Sequence, residues 1–201
     1  MTSISSQEAT KTPLLAVFAS AARVAVIRVF MLDPRREYYQ RQIEAATGLP
    51  IRAIQRELER FTAAGLLYRR AEGNRMYYRV DTDFRLFPEL RGIIMKTAAP
   101  EDHLRGTLAL DDSVRLALLN EAEDRVLIVT APGKRFGRTE PGPYAIDVMS
   151  TEEFTRALSD ERASLEAFLR GCVDLLGRRD DVIWRHIEAA GYEIHKGKGV
   201  P

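Results

Sequence analysis

Arg52, Gln55, Arg56 and Arg60 recur three and four residues apart, a spacing that sets side chains on one face of an α-helix. A guanidinium offers a planar fork of donors, and a carboxamide offers a donor beside an acceptor. These are the complements of the guanine and adenine edges displayed in the major groove of duplex DNA. Ile51, Ile54, Leu58 and Phe61 stand at i, i+3, i+7 and i+10 and form an apolar stripe on the other side. Arg52, Arg56, Glu59 and Arg60 face away from that stripe, with Gln55 at its flank. The N-terminal part of a recognition helix enters the groove, so Arg52, Gln55 and Arg56 are the base-reading candidates, with Ile51 or Ala53 against thymine methyls. Arg60 lies further along and suits a phosphate contact or an ion pair with Glu57 or Glu59. Arg69, Arg70, Asn74 and Arg75 form a second set around a turn, suited to the sugar–phosphate backbone or the minor groove. Tyr38 and Tyr39 are expected to pack under the second helix, at Gln40–Thr47, and either hydroxyl could reach a phosphate, Tyr39 being the assigned candidate.

The elements that must position these groups are marked by their own punctuation. Val24, Ile27, Val29 and Phe30 predict a helix that starts at Leu14 or Ser20 and ends at Leu32, before Asp33-Pro34. Glu37-Tyr38-Tyr39 reads as extended. Gln40–Thr47 reads as a short helix closed by Gly48. The arginine-bearing helix begins at Pro50 and closes at Ala64-Gly65. Leu66–Ala71 and Arg75–Val80 flank Glu72-Gly73-Asn74 and predict a β-hairpin with a basic rim. A turn region over Asp81–Pro88 and a helix over Leu90–Thr97 follow. The same pattern over 50–64 also fits a surface helix whose arginines simply face water; Gly48, Pro50, Gly65 and the basic hairpin favour the groove-reading alternative.

The charge distribution points the same way. Residues 20–80 carry twelve arginines against six acids, whereas residues 101–201 carry 14 basic and 19 acidic residues. The basic segment suits a polyanion, because cations that neutralise phosphates release condensed counterions. The chain of 201 residues is 45% hydrophobic and 29% charged, an ordinary composition for a globular protein with room for two small domains. Its apolar runs are too short to cross a bilayer, and its polar start lacks the order of a secretory signal. With a single cysteine, Cys172, and no possible internal disulfide, these features predict a cytoplasmic location.

The run from Ala21 to Val80, about 60 residues, resembles the ArsR/MarR-like winged helix-turn-helix domains of prokaryotic regulators. The resemblance implies a homodimeric transcription factor on double-stranded, pseudo-palindromic DNA. Residues 18–82 contain neither Cys nor His, which leaves no ligand set for the thiolate metal sensing found in ArsR-type relatives. Phe87-Pro88-Glu89-Leu90-Arg91-Gly92 through Lys96-Thr97 is similar to a subgroup in which a minimal nucleotidyltransferase domain follows. The strand at Arg125–Thr130 and the stretch Tyr144–Leu158 resemble late parts of that domain.

The catalytic parts of such a domain are missing. There is no Gly-Ser-x-x-x-Arg-Gly motif and no Asp-x-Asp pair on an expected strand, so the two metal-bridging carboxylates of nucleotidyl transfer are not provided. Glu121, Glu123 and Asp124 read as a turn, and Asp147 as a lone carboxylate. Gly133-Lys134 lacks phosphate-loop spacing and reads as an exposed loop. Ser150 with Glu153 predicts a helix cap. Helices are expected over Glu161–Leu176, with Cys172 on a stripe with Leu169 and Leu176, and over Asp180–Ala190, with Trp184 a core or interface anchor. His103, His186 and His195 show no ligand spacing, and 195–201 reads as a basic tail.

The expectation is therefore an α+β protein: an unstructured tail over 1–13, a winged helix-turn-helix with a following helix over 14–97, a linker, and a small C-terminal α/β domain over 103–201. That domain resembles a truncated nucleotidyltransferase and is expected to serve dimerisation or an unidentified small-molecule or protein effector. No catalytic residue, metal or cofactor is expected. The alternatives are a nucleotidyltransferase-type enzyme, or a protein-interaction module, targeted by the winged helix.

Overall fold

A computed structural model describes residues 14–15, 17–137, 142–160, 163–179 and 181–201. The expected tail over 1–13 lies outside them. The protein is mixed α+β, with eight helices and two sheets among the described residues. It divides into two compact units, one ending at Gly106 and the other covering Thr107–Val200. No helix among the described residues is long and apolar enough to cross a membrane.

In the first unit, helix α1 spans Ala21–Leu32. The Ser20 hydroxyl caps it, accepting from the Arg23 N–H at 3.2 Å. Ala19, at φ +53°, separates it from a helical turn at Val17–Phe18, so the helix begins at the later of the two expected starts. Val24, Val26, Ile27, Val29, Phe30, Met31 and Leu32 are all buried. A helix that is apolar nearly all round belongs inside the core, and α1 is the hub of this unit. Strand β1 (Tyr38–Tyr39) leads directly into α2 (Gln40–Thr47), which ends on Gly48 in the left-handed conformation. Helix α3 spans Ile51–Ala63, with Pro50 as its N-cap. Strands β2 (Leu67–Glu72) and β3 (Arg75–Val80) pair from Leu67↔Val80 to Glu72↔Arg75. That register leaves a two-residue turn, and Gly73 takes φ +59° there, where a side chain would be strained. The sheet order is β1-β3-β2. Ile43 of α2, Ile54, Leu58 and Phe61 of α3, and Leu67, Tyr78 and Val80 of the sheet close on α1.

Two boundaries differ from expectation. Helix α4 begins at Phe87, within the expected turn region, and runs to Lys96. The expected linker over 98–102 is mostly helical, because α5 spans Pro100–Leu108. Pro100 in the first turn, followed by Glu101 and Asp102, favours a helix start electrostatically and conformationally. Asp102 also holds Arg28 of α1 at 2.6 Å and Arg105 at 3.5 Å.

The second unit carries a five-stranded sheet, ordered β6-β5-β4-β7-β8. Strands β4 (Val114–Asn120) and β5 (Arg125–Thr130) are antiparallel, and β6 (Ala145–Ser150) runs parallel to β5. Buried residues occupy both faces of β4 and β5, as their continuous apolar runs suggest. Helices α6 (Thr151–Ser159), α7 (Ala163–Arg170) and α8 (Val182–Ala189) supply Phe154, Phe168, Ile183 and Trp184 against Leu116, Leu118, Leu127 and Val129. The capping box at the start of α6 forms as the sequence predicts: Glu153 N–H donates to Ser150 Oγ at 3.1 Å, and Ser150 N–H to Glu153 Oε2 at 2.8 Å. The bond from the Ser150 N–H, helped by the Ser150 hydroxyl, holds the Glu153 carboxyl below its ordinary pKa.

The expected helix over Glu161–Leu176 is overturned at its end. It stops at Arg170, and Cys172–Asp174 form strand β7, antiparallel to β4. Gly171 makes the close approach possible, since a Cβ there would stand 3.1 Å from Asn120 Nδ2. Cys172 is thus on a strand and not on a helical stripe with Leu169 and Leu176, although it is buried. The buried Asp174 carboxylate accepts from the Leu176 and Gly177 N–H groups at 3.0 and 2.9 Å. It thereby folds the chain sharply after the strand. The expected basic tail is overturned in part, because His195–Lys196 form strand β8, parallel to β7. The expected helix starts at Glu161 and Asp180 lie outside the described residues. Burial pushes the Cys172 thiol up to about 12. A raised thiol pKa keeps the protonated, unreactive form. Alkylation of the native protein at pH 8 is therefore expected to be at least about 100-fold slower than in urea, followed by mass spectrometry; equal rates in both conditions would contradict the burial.

Candidate nucleic-acid interface

Helix α3 separates its two characters cleanly. Ile54, Leu58 and Phe61 are buried, Ile51 and Ala53 are half-buried, and Arg52, Arg56, Glu59 and Arg60 are exposed. Arg52 and Arg56 make no hydrogen bond or ion pair among the described residues. Their donor forks stand free, one helical turn apart. Gln55 is half-buried between them, and its Nε2 donates to Gln40 Oε1 at 3.2 Å.

One acid on α3 lies inside. Glu57 is 1% exposed, and its two carboxylate oxygens take Arg23 Nε at 3.2 Å and Arg60 Nη1 at 2.9 Å. The carboxylate joins α3 to the first turn of α1. It also ties Arg60 to the helix, the ion-pair alternative foreseen for that residue, while leaving the guanidinium half in solvent.

The hairpin distributes its cations by the period of two that strands impose. Arg70 stands opposite Tyr77, and Arg69 opposite Tyr78, so the two consecutive arginines project from opposite faces. Arg70 is bound to Glu37 at 2.8 Å and Glu72 at 2.7 Å, with its guanidinium 5.4 Å from the centre of the Tyr77 ring. Arg69 is exposed and has no such partner among the described residues. Arg75 lies 5.0 Å over the Tyr39 ring, and its hydrogen bond with Tyr77 is the main cause of its raised pKa. Tyr39 and Tyr77 meet edge to face, with centroids 5.9 Å apart. Tyr38 is buried with its ring edge-on to Phe30 of α1, the first helix, where the second was expected. Asn74 is exposed in the turn.

Sequence reasoning missed two residues, Gln40 and Arg41. With Tyr39, Asn74, Arg75 and Met76 they line a groove between the start of α2 and the hairpin turn. Arg41 is exposed and unpaired among the described residues. Both follow Tyr39 directly, so the strand-to-helix junction that brings them to the hairpin was the available signal. In the second unit, Asp147 pairs with Arg125 at 2.5 Å and Glu123 with Arg125 at 3.0 Å. Lys134 sits in an exposed turn, and Arg179 lies 4.6 Å over the buried Trp184 ring. Among the described residues, no three His, Cys, Asp or Glu side chains are placed to hold a metal ion.

Removing a buried, doubly paired carboxylate leaves α3 without its polar anchor. Glu57→Ala is expected to lower stability by about 1–3 kcal/mol, read from urea unfolding of the full chain. A loss under about 0.5 kcal/mol, the range of ordinary surface changes, would contradict the anchoring role. Comparison with known proteins returns no match to this chain, whether with family models, curated proteins or solved structures.

Proposed function

We propose that this chain is a transcriptional regulator that binds double-stranded DNA through a winged helix-turn-helix made of α1, β1, α2, α3 and the β2–β3 hairpin. The observation that carries the proposal is the pair of exposed, unpartnered guanidinium groups of Arg52 and Arg56 on the first half of α3, backed by the buried Ile54, Leu58 and Phe61. A surface helix whose arginines served stability would have them paired with carboxylates. Arg70 is paired with two carboxylates and Arg60 with one; Arg52 and Arg56 are paired with none among the described residues, although Glu59 stands three residues after Arg56.

In this reading α3 enters the major groove, where Arg52, Gln55 and Arg56 meet base edges. Tyr39, Arg60, Arg69, Arg70, Asn74 and Arg75 contact backbone or minor groove, and Arg41 joins them from the start of α2. Arg75 and Arg69 contribute most in the hairpin, because Glu37 and Glu72 already neutralise Arg70. The protein acts as a cytoplasmic homodimer on two half-sites. The second unit serves dimerisation or an unidentified small-molecule or protein effector and, from its resemblance, descends from a nucleotidyltransferase-like fold without catalytic function. The Arg125 pairing of Asp147 supports a structural use of that carboxylate.

The test is fluorescence anisotropy with random and selected duplexes over a range of salt. Binding at low salt is expected to weaken linearly in log–log form as phosphate contacts are screened out. No binding of any duplex at low salt would reject the proposal. Arg56→Ala is expected to cost about 1–3 kcal/mol on the selected sequence and to relax its base preference. Arg75→Ala is expected to weaken all duplexes alike and to reduce the salt slope by about 1. Equal losses on selected and random DNA for Arg56→Ala would overturn the assignment of that residue to base reading.

A further inference from the structure

We propose that Gln40 is a specificity-determining residue, which orients the Gln55 carboxamide to select adenine. The inference rests on the DNA-reading role proposed for α3. A glutamine amide has two N–H donors and one carbonyl acceptor. One Gln55 N–H is taken by Gln40 Oε1 at 3.2 Å. The other N–H and Oε1 have no partner among the described residues, in a side chain that is half-buried and flanked by the free Arg52 and Arg56. A donor and an acceptor side by side fit adenine, whose N7 accepts and whose N6 amino group donates. Guanine presents two acceptors, N7 and O6, and would set O6 against Gln55 Oε1. Thymine and cytosine each satisfy only one of the two positions.

Gln40 is placed to fix that orientation. It opens α2 directly after β1, and Tyr39 N–H donates to Gln42 Oε1 at 3.1 Å, which secures the turn. Gln40 Nε2 lies 3.5 Å from the hydroxyl of the buried Tyr78 on β3, a long contact that favours the amide face seen here. With Gln40 held so, a Gln55 amide turned through 180° would bring acceptor against acceptor. The sheet, α2 and α3 thereby combine to preorganise a side chain that otherwise has three free torsions. Immobilising such a side chain on binding costs about 0.5–1.5 kcal/mol, roughly a 2- to 12-fold difference in affinity.

The experiment starts with selection from a pool of randomised duplexes by the full-length wild-type protein. Gln55→Ala then identifies the position that Gln55 reads, as the one that loses its preference. Anisotropy follows on the selected duplex and on its three base changes at that position. Gln40→Met is expected to lower affinity for the adenine duplex about 2- to 12-fold and to leave the other three within about twofold. Gln40→Ala, which adds no volume, carries the same expectation should the methionine variant fail to fold. Gln40→Glu keeps the Oε1 acceptor; it is expected to retain the adenine preference while binding all four duplexes more weakly through its added charge. The proposal is overturned if Gln40→Met and Gln40→Ala keep the wild-type preference, if Gln40→Glu loses it as they do, or if the position proves to favour another base. A wild-type protein that selects no sequence would instead remove the DNA reading itself, and this inference with it.

Discussion

The buried carboxylate of Glu57 is the interaction on which the first unit turns. It sits at the boundary between the apolar and cationic sides of α3, where it receives Arg23 from α1 and Arg60 from its own helix. An isolated carboxylate in that position would cost several kcal/mol in lost hydration. Two guanidinium groups offset that loss and fix the rotation of α3 against α1. The rotation in turn decides which residues remain outside. With Glu57, Ile54, Leu58 and Phe61 directed inward, Arg52 and Arg56 have nowhere to go but solvent. The seven buried apolar residues of α1 supply the surface against which this choice is made, so hub, anchor and exposed face form one dependent set.

The hairpin solves a different problem, that of holding long cationic side chains without neutralising them. Stacking on an aromatic ring restrains a guanidinium while leaving its charge intact. Arg75 over Tyr39 is held in this way, and the Tyr39–Tyr77 edge contact supports the ring from beside. Arg70 has a ring beneath it as well, but two carboxylates take its donors. Two arginines on one hairpin thus differ in the charge they offer an approaching anion, and their place in the sequence does not reveal it.

Elements whose ends are set by local chemistry were legible in the sequence. Gly48 closes α2, Gly73 makes the hairpin turn, and Ser150 with Glu153 opens α6, each where it was expected. The opposed faces of α3 follow from a 3.6-residue period and were legible for the same reason. What failed depends on distant partners. Val173 and Cys172 look like the end of a helix until β4 pairs with them, and His195–Lys196 look like a tail until β7 does. At the site, the pairing of Arg70 with Glu37 was not legible because the two are 33 residues apart. Gln40 and Arg41 went unremarked because their relation to Gln55 and Asn74 exists only after α2, α3 and the hairpin have met.

The net charge of +1 is consequently the wrong quantity for judging affinity for a polyanion. Fields of exposed charges are screened over about 8 Å at physiological ionic strength, so what matters is which charges are left uncompensated locally. Around α3 and the hairpin, Glu37, Glu57 and Glu72 are committed to arginines, whereas Arg41, Arg52, Arg56 and Arg69, and against them Glu59, are unpaired among the described residues. In the second unit five carboxylates have structural partners: Asp174 on backbone N–H groups and Arg179, Asp181 on Arg115, Asp147 and Glu123 on Arg125, and Glu153 on a helix cap. Pairing leaves unpaired cations on α3 and the hairpin, which the sequence had already singled out, and at the start of α2, which it had not.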